Sequence, residues 1–127
     1  MFDTPQVLRT AHDMAAHAAA RQGVLAGNIA NADTPGYKRR DLQPFAEVFA
    51  RAASTPAIPG HIRPGHVATG SLQAAIRQDS AAPSAPNGNS VTLEREMMHS
   101  AEARQQHDTA LTIFRSLTGI LRATLGR

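Results

Sequence analysis

The placement of proline constrains this 127-residue chain more than any other feature of its sequence. Seven of the eight prolines lie between Pro35 and Pro86, and two proline-free segments, 6–34 and 87–127, flank them. Proline inside a helix costs about 3 kcal/mol, because it removes a backbone hydrogen bond and clashes with the preceding turn. The flanks can therefore be long helices, and the middle cannot be one.

The first flank repeats apolar and small residues at alternating spacings of three and four. The stripe consists of Leu8, Ala11, Ala15, Ala18, Gln22, Leu25, Ile29 and Ala32. This spacing is typical of a helix that packs one face against a partner. We predict a helix in residues 1–34, with Leu8, Leu25 and Ile29 in its packing seam.

The second flank keeps the same spacing from Leu93 onward. Its apolar face broadens after Ala110, and Gly126 is placed to end the helix. We predict a helix in residues 91–127. The larger members of its packing seam are Met97, Leu111, Phe114, Leu117, Leu121 and Leu125.

Polar residues mark the start of this second helix. Asn89 or Ser90 can cap its first amides, and Glu94 and Glu96 suit the positive end of its dipole. We interpret both glutamates as solvated dipole partners rather than as acids with a chemical role.

Residues 35–90 are predicted to be largely irregular and rich in proline. Within them, 44–53 carries an apolar face that predicts a short helix, and 71–76 is predicted as a turn of helix. Residues 80–90 are rich in Ser, Ala, Pro, Asn and Gly, a composition that predicts a flexible linker.

The predicted fold is all-α, with long N- and C-terminal helices and an irregular proline-rich middle. We expect one domain in three segments: a helix in 1–34, an elbow with a short helix and flexible loops in 35–90, and a helix in 91–127. The two seams can pair antiparallel with each other as a coiled-coil-like hairpin, or with neighbouring subunits, and the spacing alone does not choose.

The sharpest local signal, Asn-Ile-Ala-Asn-Ala-Asp-Thr-Pro-Gly-Tyr-Lys-Arg-Arg, lies at the end of the first helix. Proline pushes the residue before it out of the helical region, and Pro-Gly fits the centre of a type II turn. The preceding Asn and Asp side chains can cap backbone groups at the helix end. The string is either a helix stop alone or an elbow that holds an aromatic ring and the cations of 38–40 against a partner. The elbow residues are Asn28, Asn31, Asp33, Thr34, Pro35, Gly36 and Tyr37.

This string closely resembles the N-terminal signature of the flagellar axial proteins, the rod and hook family. Within that group, the chain resembles the FlgB family of proximal rod proteins, which are also short. Residues 64–67 and 87–97 resemble two further elements of that family. The related FlgC family ranks second, because its sequence after the asparagines usually differs.

The resemblance implies a structural subunit of the flagellar basal body. It implies a coiled-coil-like domain of terminal helices, export through the flagellar type III apparatus without a cleavable signal peptide, and helical stacking in the periplasmic rod. That rod transmits torque from the membrane ring. The implied partners are other rod subunits, the junction protein at the ring, the export apparatus and further copies of the chain.

Composition and motif content argue against other classes of function. The chain has no cysteine, so it has no thiolate metal site, and no apolar run of about 18 residues predicts a membrane span. His12 and His17 are five apart, which separates them by about 140° around a helix, and His61 and His66 lack an evident third ligand. We expect no enzyme, no metal and no cofactor.

A small nucleic-acid-binding module is the alternative from a different class. It would use the basic cluster of residues 38–40 and the tyrosine beside it. The formal net charge of +3 is a mild bias, and the cluster is short. We therefore expect no nucleic-acid partner.

Overall fold

The computed structural model of the chain describes residues 4–54, 76–79 and 83–126. Three helices and two short strands follow one another in these ranges. In chain order they are α1 (Thr4–Ala30), β1 (Arg40–Leu42), α2 (Phe45–Ser54), β2 (Ile76–Gln78) and α3 (Leu93–Thr124). The mostly helical fold with a long helix near each end is the one that the sequence predicts.

The two long helices pack against each other within the chain. Asn28, near the end of α1, donates a hydrogen bond to Glu96 in the first turn of α3, so the helices run antiparallel. At 1.5 Å per residue, α1 is about 40 Å long and α3 about 48 Å. The coiled-coil-like hairpin is confirmed, and the helices pair within one chain.

Alanine lines the contact between the two helices. The buried apolar residues of α1 and α3 are Ala11, Ala15, Ala18, Leu25, Ala103 and Ala110. Small side chains let two helices approach closely, but each removes little apolar area from water. The hairpin therefore has a narrow core with Leu25 as its largest apolar member.

The predicted packing seam coincides with the observed contact only in part. Leu25 is fully buried, with 0% of its surface exposed, whereas Met97 and Leu125 are 60% and 78% exposed. The half-buried members are Leu8, Ile29, Leu111, Phe114, Leu117 and Leu121. Because Glu96 is buried, the next residue is turned by about 100° toward the outside of the helix. Leu125 follows the last residue of α3, so neither side chain lies between the helices.

The short helix α2 forms almost where the sequence predicts it, at Phe45–Ser54. The carbonyl of Pro44 accepts the first two amide hydrogen bonds of this helix. Its apolar face reaches α1 through Phe45, whose ring lies edge-on to His17 with the ring centroids 5.6 Å apart. This contact holds the chain beyond the elbow against the side of α1.

A two-stranded antiparallel sheet, which the sequence did not predict, joins the middle of the chain to α1. β1 and β2 pair as Arg40 with Gln78, Asp41 with Arg77 and Leu42 with Ile76. Three-residue strands carry too little alternation to be recognised in a sequence. Residue 76 thus lies in a strand and not in a turn of helix, while 71–75 lie outside the described residues.

Candidate functional site

The predicted turn at the elbow is present. The amide of Tyr37 donates to the carbonyl of Thr34 over 3.3 Å, which closes a four-residue turn around Pro35 and Gly36. Gly36 has φ +73°, the left-handed value that the third residue of a type II turn requires and that glycine adopts without strain. The turn redirects the chain from α1 into β1.

Asn31 caps the end of α1, as predicted. Its side-chain amide donates to the carbonyl of Gly27 over 2.8 Å, and its oxygen accepts the hydroxyl of Thr34 over 3.2 Å. Asp33 and Pro35 lie exposed on the outside of the turn. The turn is therefore held from its inner side and leaves its outer residues accessible.

Asn89 caps the first long helix and not the second. Its amide nitrogen lies near the carbonyl oxygens of Asn31 (3.1 Å), Ala32 (2.7 Å) and Thr34 (2.9 Å). At the start of α3, Thr92 occupies the capping position without a side-chain hydrogen bond to the helix. The prediction that Asn89 or Ser90 caps α3 is wrong. Both are buried against the elbow, where Asn89 donates to carbonyls just after α1 and the hydroxyl oxygen of Ser90 accepts the amide of Arg39.

The segment before α3 packs against the elbow. The amide of Gly36 donates to Asn87 over 3.0 Å, and the amide of Ser90 donates to Tyr37 over 3.1 Å. Gly88 has φ +79°, and a Cβ atom added there would lie 3.4 Å from the Cα atom of Gly36. The predicted flexible linker is therefore wrong for the described part of this segment, because its backbone groups pair with those of the elbow.

Asn28 joins three elements at the centre of a buried cluster. Its side chain is fully buried and brackets the backbone of Arg40, donating to the carbonyl over 2.6 Å and accepting the amide over 3.1 Å. The same amide group donates to Glu96 over 2.8 Å, and the hydroxyl of Tyr37 donates to the Asn28 oxygen over 3.4 Å. Asn28 therefore ties α1 to both β1 and α3.

Glu96 is fully buried, so its interpretation as a solvated dipole partner is wrong, although Glu94 is exposed as predicted. Arg39, itself only 5% exposed, donates from Nε to the second carboxylate oxygen of Glu96. Arg39 also donates to Asp41 over 3.0 Å and to Asp79 over 3.1 Å. A buried carboxylate is tolerated in a fold when such charged and hydrogen-bonding partners surround it.

Asp41 extends this cluster to a second arginine. Arg21 of α1 donates two hydrogen bonds to its carboxylate, over 3.0 and 3.2 Å. Burial alone would raise the pKa of Asp41, but the hydrogen bonds from Arg21 and Arg39 outweigh it and hold the pKa below its ordinary value. Burial likewise opposes the charge of Arg39, yet the bonds to Glu96 and Asp41 raise its pKa. Opposite charges therefore alternate along Arg21, Asp41, Arg39 and Glu96.

The three cations after the turn do not form one exposed patch. Arg39 is buried in the ion pairs, whereas Lys38 and Arg40 are exposed. Lys38 donates to the carbonyl of Gly88 over 3.0 Å, and the guanidinium of Arg40 lies 5.9 Å from the ring centre of Tyr37. The interpretation of 38–40 as a joint contact surface is wrong, and the nucleic-acid alternative loses the cluster on which it rests.

Sequence reasoning missed Arg21, Asp41, Glu96 and Asn89 as members of this site. One signal was available for Glu96. It precedes Ala103 and Ala110 by intervals of seven, so it occupies the same helical face as the two buried alanines of α3.

Neither a metal site nor a membrane span is found among the residues that the structure describes. Within 4–54, 76–79 and 83–126, no three His, Asp or Glu side chains come together as metal ligands. Across the same residues, no helix combines the length and the apolar character needed to cross a bilayer. His61 and His66 lie outside the described ranges.

Comparison with known proteins identifies the family. A family model described as flagella basal body rod protein matches residues 8–38, a range that includes the elbow. The flagellar basal body rod protein FlgB of Agrobacterium fabrum is 30% identical over 127 residues, which cover 96% of this chain and 94% of that protein. The chain belongs to the FlgB family.

Two further FlgB proteins agree with this assignment. FlgB of Cereibacter sphaeroides is 36% identical over 113 residues, which cover 84% of each chain. FlgB of Salmonella typhimurium is 32% identical over 123 residues, which cover 85% of each chain. The resemblance to FlgB, ranked above FlgC from the sequence, is confirmed.

Proposed function

We propose that this FlgB-family chain is a non-catalytic subunit of the proximal flagellar rod, and that it assembles through the outer faces of its helical hairpin. Membership of a family of basal body rod proteins supports the rod. The observation that carries the mode of assembly is the contrast between the outer faces of α1 and α3.

The outer face of α1 is smooth. Between residues 16 and 30, every exposed residue is alanine or glycine: Ala16, Ala19, Ala20, Gly23, Ala26 and Ala30. Within the described structure, nothing lies within 4 Å of a Cβ atom added at Gly23 or at Gly27. A face without long or charged side chains lets the backbone of another helix come close.

The outer surface of α3 exposes large apolar side chains instead. They are Leu93 (44%), Met97 (60%), Met98 (56%), Ile113 (41%) and Ile120 (56%). Exposed apolar side chains that recur along one element mark a surface for contact with other proteins. Met97, which does not lie between α1 and α3, is placed to contact another subunit.

A face of small residues on α1 and an outer surface with large apolar side chains on α3 suit a head-to-tail contact. If α3 of one subunit packs on α1 of the next, the two contacting surfaces differ, and such heterologous contacts produce a helical array unless a ring closes. This assembly fits a rod that crosses the periplasm and transmits torque from the membrane ring. Other rod subunits and the junction protein at the ring are the proposed partners.

The smooth face is tested by comparing Gly23→Leu with Gly23→Ala in cells that lack the native chain. Both changes favour the helix, because alanine and leucine have higher helix propensity than glycine and the site is open. We expect the leucine variant to lose swimming and to yield basal bodies without rods, while the alanine variant keeps both.

Circular dichroism of the two purified variants is the control for folding. Equal helix content with unequal rod assembly places the defect in the contact between subunits. Swimming by the leucine variant at the rate of the alanine variant would contradict a role of this face in assembly.

Export by the flagellar type III apparatus is the route that the proposal requires for a periplasmic rod subunit. We expect the chain to remain in the cytoplasm of cells in which that apparatus is disabled. Its appearance in the periplasm of such cells, measured by fractionation and immunoblotting, would contradict this route.

A further inference from the structure

We infer that the register of the hairpin is set at its elbow end by a polar clamp, defined as Asn28, Arg39, Glu96 and Asn89, and not by its apolar seam. Register means which residue of α3 lies beside a given residue of α1. The inference concerns the isolated chain, so it holds or fails independently of how the rod assembles.

The apolar seam repeats itself and therefore distinguishes registers poorly. Ala11 and Ala18 are seven residues apart on α1, and Ala103 and Ala110 are seven apart on α3. Seven residues make about two helical turns, so a slip of one helix by that distance places alanine where alanine was before. Alanine contacts of equal size cannot oppose such a slip by steric clash. Leu25, which follows Ala18 by seven residues, is the one larger apolar side chain among the described buried residues of α1 and α3 that a slip would misplace.

The connection between the helices does not fix the register through its length. Residues 31–92 separate α1 from α3, and a long connection reaches many relative positions with little difference in closure entropy. What holds the two ends together must therefore be specific contacts of the described residues near the elbow.

The Asn28–Glu96 contact is satisfied in one register. Arg40 pairs with both polar groups of Asn28, which fixes the side-chain amide so that its nitrogen faces Glu96. A slip by seven residues would place Ala103 beside Asn28 and separate Glu96 from both Asn28 and Arg39. Asn28 and the buried Arg39 would then lose the carboxylate that they bind, which is far more costly than exchanging alanines.

Asn89 fixes the same end of the hairpin through separate contacts. It lies just before α3, and its amide group holds three carbonyl oxygens at the end of α1. Its own oxygen accepts the amide of Val91 over 2.7 Å, so the side chain is anchored at both ends. The start of α3 is thereby held at a defined height beside the end of α1.

The distance between two spin labels measures the register directly. The chain has no cysteine, so Arg9→Cys and Ala101→Cys introduce unique labelling sites. Both positions are exposed, and the antiparallel arrangement places them at different heights along the hairpin. We expect one distance by pulsed electron paramagnetic resonance, and a slip by seven residues would change the axial separation by about 10 Å.

The decisive variant replaces all four members of the clamp by apolar residues of similar volume: Asn28→Leu, Arg39→Met, Glu96→Leu and Asn89→Leu. We expect helix content close to that of the parent by circular dichroism, together with a second population at a distance shifted by about 5 to 10 Å. A purely stabilising role of the four residues would change the unfolding midpoint and leave a single distance.

Three further changes, each made in an Asn89→Leu background, keep the test decisive if the fourfold variant does not fold. Glu96→Gln turns an NH₂ group toward either Asn28 or Arg39, so two donors face each other, and we expect a minor second distance. Glu94→Gln makes the same change at an exposed position of α3 and should keep one distance. Ala103→Gly weakens the seam and should also keep one distance.

Three results would overturn the inference. The first is a helical fourfold variant with only the parent distance. The second, if the fourfold variant is unfolded, is a Glu96→Gln protein in the Asn89→Leu background with only the parent distance. The third is a second population in Ala103→Gly, which would assign the register to the seam.

Discussion

The two ends of the described hairpin differ in what holds them. At the elbow end, the fully buried side chains of Asn28 and Glu96 meet Arg39 in a cluster of directional hydrogen bonds and ion pairs. Along the shaft, the buried contacts are mostly alanine. The polar contacts of the elbow end are satisfied in one register, whereas the alanine contacts along the rest of the hairpin differ little in energy between registers.

This difference shows how one small chain can fix the register of its own helices with one group of contacts and keep other surfaces for packing with neighbouring subunits. Directional polar contacts penalise wrong arrangements strongly, because each misplaced group stays buried and unpaired. Alanine contacts penalise them weakly and leave the helices slender. A hairpin with a defined end and a slender shaft is suited to packing among other helices, in line with the proposed rod.

The largest expected effect comes from removing the arginine of the cluster. Arg39→Met leaves Glu96 buried without its cation, and we expect the free energy of unfolding to fall by about 3–5 kcal/mol. Urea denaturation followed by circular dichroism measures it. Arg40→Met, one residue on but exposed, is the matched control and should change stability by less than about 0.5 kcal/mol. Equal effects of the two changes would remove the distinction between the two ends.

A smaller effect is expected from straining the turn. Gly36→Val places a β-branched residue at φ +73°, which we expect to cost about 1–3 kcal/mol of stability and to block rod formation. Gly119→Val, at a glycine with open space on α3, should keep the stability of the parent within about 1 kcal/mol. Swimming assays and basal-body preparations report the assembly. Normal rods in the Gly36→Val strain would contradict the importance of the elbow.

The seam should respond more weakly still. Ala18→Gly removes one buried methyl group and lowers helix propensity, and we expect a loss of about 1–2 kcal/mol. Thermal unfolding of the purified chain measures it, with Ala19→Gly at an exposed neighbour as the control for propensity alone. A loss as large as that of Arg39→Met would show that the seam, too, is highly specific.

The smallest expected effect is a change in the pH dependence of stability that comes from the pKa of Asp41. Its pKa is lowered in the folded chain, so its contribution to stability is complete above its ordinary pKa of 3.8 and is lost as the pH falls through the lowered value. Arg21, Arg39, the cross-strand Arg77 and, through Arg39, the carboxylate of Glu96 surround this group.

Unfolding midpoints measured between pH 6 and pH 2 report this contribution as a difference between two proteins. We expect Arg21→Met to have a shallower acid loss than the parent, because the pKa of Asp41 then returns toward its ordinary value. Arg9→Met, at an exposed position of α1, should follow the parent curve. Identical curves for all three proteins would contradict the assignment of the pKa shift to Arg21.

Much of the fold could be predicted because it depends on local rules. Proline excludes a long continuous helix from the middle of the chain, and the spacing of three and four marks both long helices. The string around Pro35 and Gly36 defines its turn by backbone chemistry alone, and Gly126 ends α3 with φ +70° as predicted. These features need no knowledge of which segments meet.

The parts that were missed depend on contacts between distant segments. Glu96 and Arg39 look like solvated charges in the sequence, since nothing local shows that they neutralise each other in the interior. Asn89 looks like a cap for the helix that follows it, yet the carbonyls that it binds belong to the turn just after α1. The spacing of three and four assigned Met97 to the seam, but the residue that faces α1 at this point is its neighbour Glu96.

Amide hydrogen exchange of the isolated chain, resolved by residue, tests the central claim most directly. The amides of Gly36, Tyr37, Arg40 and Ser90 are all bonded within the elbow end. We predict that they exchange as slowly as the slowest amides of α1 and α3, because opening them requires the hairpin to unfold. Rapid exchange of these four amides beside a well-protected shaft would contradict a hairpin that is fixed at its elbow.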